Sequence, residues 1–202
     1  MVPSSFIRWS SNLLILAGFL ALGIVGFVWT QAQVFQRKAN RRFEFAAAHS
    51  APETLAFVNI SVAKSGRPVG VGSVIGKLEI PRIGVSAMVL EGANADTLRK
   101  GVGHIPGTAM LDQVGNVGLA AHRDTFFRAL RNIRKNDLIT LQTLHGSRTY
   151  RVEYFEVVQP QDIGVLKSTA RPTLTLVTCY PFYFIGSAPK RFIVRADEIP
   201  AG

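Results

Sequence analysis

One cysteine, Cys179, occurs in 202 residues. A lone thiol excludes an internal disulfide, and with it any disulfide-stapled scaffold. Acidic residues are scarce: 13 Asp and Glu stand against 23 Lys and Arg, a formal net charge of +10. That balance favours anionic surfaces such as acidic lipid or cell-wall polymer. Nucleic acid is not indicated, because the cations are scattered and no basic helix, zinc-ligand spacing or aromatic RNA-binding motif accompanies them. No internal repeat is present. Asp112, Asp124 and Glu91 are too dispersed for a calcium cage, and neither a metal nor a cofactor is expected.

Charge is missing altogether from residues 13–29. As a helix this run is roughly 25 Å long, close to a hydrocarbon core of ~30 Å. Trp9 and Trp29 flank it, where interfacial aromatics sit. A cleaved signal peptide is the alternative, but no small-x-small site follows promptly. Residues 1–30 are therefore expected to be an anchor helix with a short tail, and 31–75 a juxtamembrane linker. The linker could continue as helix over 34–48 before Pro52 and Ser65-Gly66-Arg67-Pro68 break the periodicity. Arg37, Lys38, Arg41 and Arg42 follow the run while Arg8 alone precedes it, so the cation count would put the C-terminal side in the cytoplasm.

From residue 76 to 202 the pattern changes to short apolar runs divided by turn residues. Strands are expected at 77–80, 85–90, 116–121, 138–143, 148–158, 174–178 and 192–196. Short helices are expected at 94–100, capped by Asn94 and closed by Gly101, and at 126–132. Many short strands with few helices indicate an all-β barrel or sandwich. The long loops 159–172 and 180–190 bracket the strand carrying Cys179, and such loops commonly wall a ligand groove.

Period-two alternation puts Thr173, Thr175, Val177 and Cys179 on one strand face, and Leu174, Leu176 and Thr178 on the other. A thiol at a strand end needs a base or a cation to act as a nucleophile. Otherwise it is a small buried hydrophobe. Of the four histidines, His49 lies in the linker and His145 before a hairpin glycine. His104 sits in a constrained loop where a structural role is the simpler one. His122 closes an apolar strand and opens Arg123-Asp124-Thr125, so a rigid element delivers it to a loop. Arg191 begins the last strand, with Ile193 and Arg195 on its face. It could pair with a carboxylate such as Asp124, or donate to a substrate carbonyl or oxyanion.

Thr175-Leu176-Val177-Thr178-Cys179, with Arg191 downstream, resembles the sortase signature Thr-Leu-x-Thr-Cys and the arginine that follows it. Gly101-Val102-Gly103-His104-Ile105-Pro106-Gly107-Thr108-Ala109, then Gly115-Asn116-Val117, His122-Arg123-Asp124-Thr125-Phe126-Phe127 and Cys179-Tyr180-Pro181-Phe182, are similar to class D sortases. The likeness covers about 76–196. It departs at Ala121, where the family usually has glycine before the histidine; the methyl could tighten the turn or narrow the cleft.

The resemblance implies a closed sortase-type β-barrel with two or three short helices, preceded by a transmembrane helix and linker. It also implies a cysteine transpeptidase, single-pass in the cytoplasmic membrane with its catalytic domain outside, against the cation count. Cys179 would be the nucleophile, His122 the acid and base, and Arg191 the oxyanion or backbone donor. The partners implied are a surface protein bearing an LPxTG-like or LPxTA-like sorting signal, and an amine acceptor on a peptidoglycan precursor or a lysine of another protein. Thr178, Ala121, Val165 and Leu166 are candidate substrate contacts, with Ile163 a further apolar candidate. Two other readings stay open: an extracytoplasmic cysteine peptidase that mainly hydrolyses, and a non-catalytic, membrane-tethered peptide-binding domain. An L,D-type transpeptidase fits poorly, since its histidine and cysteine are near neighbours in sequence.

Overall fold

Alternation of side chains along eight strands determines which residues are inside. In the computed structural model, which describes residues 4–48, 69–183 and 186–199, the strands are β1 (Val74–Ile80), β2 (Val85–Glu91), β3 (Val102–His104), β4 (Asn116–Ala120), β5 (Leu138–Thr143), β6 (Gly146–Val158), β7 (Thr173–Tyr180) and β8 (Lys190–Ile199). They close into a barrel in the order β1-β2-β3-β4-β7-β8-β6-β5, so the expected all-β architecture is a barrel and not a sandwich. Every second residue enters the core: Leu78 and Ile80, Val117 and Leu119, Leu174 and Leu176, Phe192, Val194 and Ala196. Antiparallel pairing of β1 with β5 closes the barrel, and β7 lies between β4, to which it is parallel, and β8, to which it is antiparallel.

Sequence and structure differ at several element boundaries. β3 falls in the glycine-rich stretch around Gly101 and Gly103, where no alternation announces a strand; it pairs in parallel with β2 and antiparallel with β4. The helix expected at 126–132 is a 3-10 turn, Arg128–Asn132. Two further 3-10 turns lie at Pro81–Ile83 and Ile163–Leu166. Helix α2 (Ala95–Lys100) has its expected cap, with the Asn94 side chain accepting from Thr97 N.

Helix α1 covers Ser4–Ala48, and the chain divides into two compact units, Met1–Phe35 and Gln36–Gly202. In the first, the described side chains from 12 to 27 are exposed, and Thr30 Oγ1 donates back to Gly26 O and Phe27 O, both at 2.9 Å. Taken over the described residues, which omit the side chains at 4–8, 10, 11, 25, 28 and 29, no helix is long and apolar enough to cross a membrane.

In the second unit, the remainder of α1 lies on the barrel and not in a free tether. Gln36 donates to Lys100 O at 2.6 Å and accepts from Met88 N at 2.8 Å. Ala39, Phe43 and Ala46 are buried, and Lys77 stands 3.9 Å from Glu44. This cover explains why β2 is buried on both faces. Ala87 and Val89 face the core, while Met88 and Leu90 are buried without belonging to that cluster. His49, Pro52 and the turn around Gly66, expected in the linker, lie outside the described residues, as does the Trp29 side chain.

Candidate active site

β7 carries the thiol between two neighbours. Leu174 and Leu176 point into the core, so Thr173, Thr175, Val177 and Cys179 take the outer face. Cys179 is half-buried, neither sealed inside nor fully open. On one side, antiparallel register sets Cys179 opposite Arg191, where facing Cβ atoms are about 5 Å apart. On the other side, parallel register matches Ala120 with Val177. The seam continues through Ala121, whose N–H donates to Val177 O at 3.3 Å. One further step brings His122 level with Cys179. Register therefore places His122, Cys179 and Arg191 at three neighbouring chain positions, on β7 and the ends of the strands beside it.

The corner after His122 is a tight turn, its carbonyl accepting from Thr125 N at 3.4 Å and Phe127 N at 3.2 Å. Arg191 Nη1 donates to Ala188 O at 3.2 Å and Lys190 O at 3.0 Å; no ion pair with Asp124 is formed. Arg123 has a role that the sequence reading missed. Its Nη1 donates to Pro181 O and its Nη2 to Gly186 O, both at 2.9 Å. It thus ties the loop following Cys179 to the corner following His122. Because its partners are backbone carbonyls distant in sequence, no motif discloses the tie.

Thr178 and Ala121, expected as substrate contacts, are buried fasteners. Thr178 Oγ1 donates to Ala121 O at 2.8 Å, and the Ala121 methyl joins the core cluster. The extra methyl is therefore packed in the barrel core. Val165 and Leu166 sit in the 3-10 turn that overlies the outer sheet face. Asn116 Nδ2 donates to Val165 O at 3.0 Å and Lys167 O at 3.1 Å, and Arg195 Nη2 donates to Val165 O at 2.9 Å. Beneath them, Thr175 Oγ1 donates to Asn116 Oδ1 at 2.6 Å. A Cβ on Gly118 would come within 2.9 Å of Thr108 and 3.2 Å of Leu166, so only glycine lets this turn lie so close. Ile163 is 74% exposed, leaving it open to a ligand.

The other described histidines are occupied or remote. His104 is buried, with Nδ1 2.8 Å from Glu91 Oε2 and Nε2 3.0 Å from Ala109 O. His145 is exposed in the β5–β6 turn. Among the described residues no group of three His, Cys, Asp or Glu side chains could hold a metal ion.

A half-buried thiol on the outer face of a closed barrel, with His122 and Arg191 at neighbouring backbone positions, fits a cysteine acyl-transfer site. The sortase domain model matches residues 78–199, and the chain belongs to the sortase family. Sortase D of Bacillus subtilis (strain 168) is 36% identical over 129 residues, 63% of this chain and 65% of that protein. The match thus spans just under two thirds of that relative's length. Among solved structures, a Clostridium perfringens Sortase D5 transpeptidase is 31% identical with a TM-score of 0.60, covering 65% of this chain and 82% of that one. Streptococcus agalactiae sortase C1 is 28% identical with a TM-score of 0.61, covering 81% and 90%.

Proposed function

We propose that this chain is a membrane-anchored cysteine transpeptidase of class D type. It cleaves an LPxTG-like or LPxTA-like sorting signal after threonine and passes the acyl group to an amine. The observation that carries this reading is the register around β7, which supports Cys179 as nucleophile between His122 and Arg191. The uncharged run at 13–29 on exposed helix supports an anchor in the cytoplasmic membrane, with the catalytic unit outside, where amine acceptors lie.

The Cys179 thiolate attacks the threonine carbonyl carbon, and the oxyanion that forms is stabilised by the Arg191 guanidinium. Collapse breaks the C–N bond, His122 imidazolium gives its proton to the departing amine, and a thioester remains. The incoming amine adds to that thioester, the C–S bond breaks, and neutral His122 takes the amine proton. The thiolate returns unchanged. Arg191 would leave its Ala188 and Lys190 carbonyls to reach the oxyanion, a rotation that peptide binding favours by offering a charged acceptor.

The test incubates the full chain in detergent with Leu-Pro-x-Thr-Gly and Leu-Pro-x-Thr-Ala peptides, with and without an added amine, and weighs the products. Wild type forms the amine conjugate and Cys179→Ala leaves the peptide intact. Cleavage by Cys179→Ala refutes the nucleophile. Hydrolysis alone in the presence of amine favours the peptidase reading. Arg191→Lys keeps the charge but loses the planar fork, so its turnover should fall about 100-fold or more.

A further inference from the structure

Outside the thiol site, arginines gather around a depression beside the 3-10 turns Pro81–Ile83 and Arg128–Asn132. Two cavities, of about 420 Å³ and 630 Å³, share Ile83, Arg131 and Asn132 in their walls and so lie next to each other. Arg128 and Arg131 line the first, and Arg82, Arg131 and Arg134 the second; no Asp or Glu lines either. Arg82 is neutralised by Asp137, to which it donates from Nε and, at 2.6 Å, from Nη2. Arg128, Arg131 and Arg134 are exposed and form none of the ion pairs found among the described residues, although the Arg134 charge also helps to lower the pKa of Asp137. In a 3-10 turn, side chains at i and i+3 eclipse, so Arg128 and Arg131 are aligned about 6 Å apart along the axis. Arg131 also lies over the Tyr183 ring, 5.5 Å from its centroid. That contact uses the guanidinium face and leaves its edge donors available.

Exposed guanidiniums lining one depression repel only weakly through water and salt, but their donors and positive potential suit an anion that can meet more than one of them. A single carboxylate would answer one guanidinium; a row of phosphates answers all three, with the bidentate geometry that arginine offers. Ser86, Thr125 and Asn132 add neutral polar groups around the same depression. We propose that this arginine-walled groove is a binding site for a ligand carrying several phosphate groups, separate from the thiol site and independent of the transpeptidase reading.

Titration of the full chain in detergent with sodium tripolyphosphate, followed by calorimetry, tests it. Wild type binds, and raising the salt weakens the binding. Arg128→Gln with Arg134→Gln should raise Kd about tenfold or more, since two charge-assisted contacts are lost. Arg151→Gln with Lys167→Gln, exposed cations outside the groove, removes the same charge and should stay within about twofold. Circular dichroism of both pairs checks the fold. Equal weakening in the two pairs, or no heat from wild type at millimolar tripolyphosphate, overturns the proposal. Repeating the titration in nanodiscs of phosphatidylcholine, with and without cardiolipin, whose headgroup carries two phosphates, identifies the source of phosphate. Competition by cardiolipin in wild type, absent from the Arg128/Arg134 pair, assigns a lipid headgroup. Unchanged tripolyphosphate binding assigns a soluble phosphate ligand.

Discussion

Arg123 sits one residue after the proposed acid–base histidine and holds the loop one residue past the proposed nucleophile's neighbour. Its two donors reach Pro181 O and Gly186 O, so removing the side chain should loosen both ends of the site at once. Arg123→Ala is expected to lower kcat/KM on sorting peptides about 10- to 100-fold, since small displacements of reacting groups carry such penalties. The barrel core does not include Arg123, so the melting temperature should move little. Arg123→Lys should not rescue, because one ammonium cannot span two carbonyls held in a fork. A purely structural role is excluded by measuring the pH–rate profile, which shifts only if the imidazole's surroundings change. At this scale the sequence disclosed types and order better than contacts. Cys179, His122 and Arg191 stand out because a strand end, a strand-to-loop junction and a strand start are readable from alternation. The bonds of Arg123 to carbonyls distant in sequence, and the hydrogen bond of Thr178 to Ala121 O, could be assigned only once the fold was known, although alternation already turned Thr178 away from Cys179.

Asn116 binds three pieces of chain at the start of β4. It accepts from Thr175 on β7 and donates to the carbonyls of Val165 and Lys167 in the turn above. Each such bond contributes about 1 kcal/mol net, and a buried partner left unmatched costs about 1–3 kcal/mol. Asn116→Ala should therefore destabilise the barrel by about 2–4 kcal/mol in urea unfolding. It should also raise KM for sorting peptides more than it lowers kcat, since the overlying wall is freed while the thiol's strand is kept. A second fastening joins two 3-10 turns to β5. Asp137 accepts from Arg82 and from Arg134 N at 2.7 Å, and the Arg82 hydrogen bond holds its carboxyl below the usual carboxylate range. A depressed folded pKa gives stability that is present above the unfolded value near 3.9 and lost as pH falls through the folded one. Asp137→Asn should melt lower than wild type at pH 7, with the gap closing in strong acid. A gap that stays constant down to pH 2 would refute the linkage. Neither fastening was legible beforehand: Asn116 is one polar residue in an apolar strand, and Arg82 and Asp137 are separated by three whole strands and a helix.

Over the whole molecule, composition gave the class of fold but not its second apolar layer. Strands of period two, short loops and Gly-Pro punctuation led to an all-β body, and the Thr-Leu-x-Thr-Cys run to a closed barrel. The stretch 34–48 was readable as helix, yet its buried face, Ala39, Phe43 and Ala46, is two alanines and a phenylalanine set among arginines and glutamate, too sparse to announce a docking surface. The strand it covers gave the complementary clue, since Met88-Val89-Leu90 is apolar on both faces and one of those faces must be covered from outside the barrel. Gln36 completes the fit by bonding the main chain at Met88 and Lys100, where β3 is too short to continue pairing with β2. If this helix segment is part of the folded unit, Phe43 is a core residue in all but location. It is 2% exposed, and Phe43→Ala should destabilise the chain by about 3 kcal/mol, the lower end for a buried aromatic whose site can relax toward solvent. Gln36→Ala should cost about 1–2 kcal/mol through the unmatched Met88 N–H. A helix that merely rests on the barrel gives a different result: both variants unfold in urea with the wild-type midpoint, and hydrogen exchange at Met88 N is fast in all three proteins.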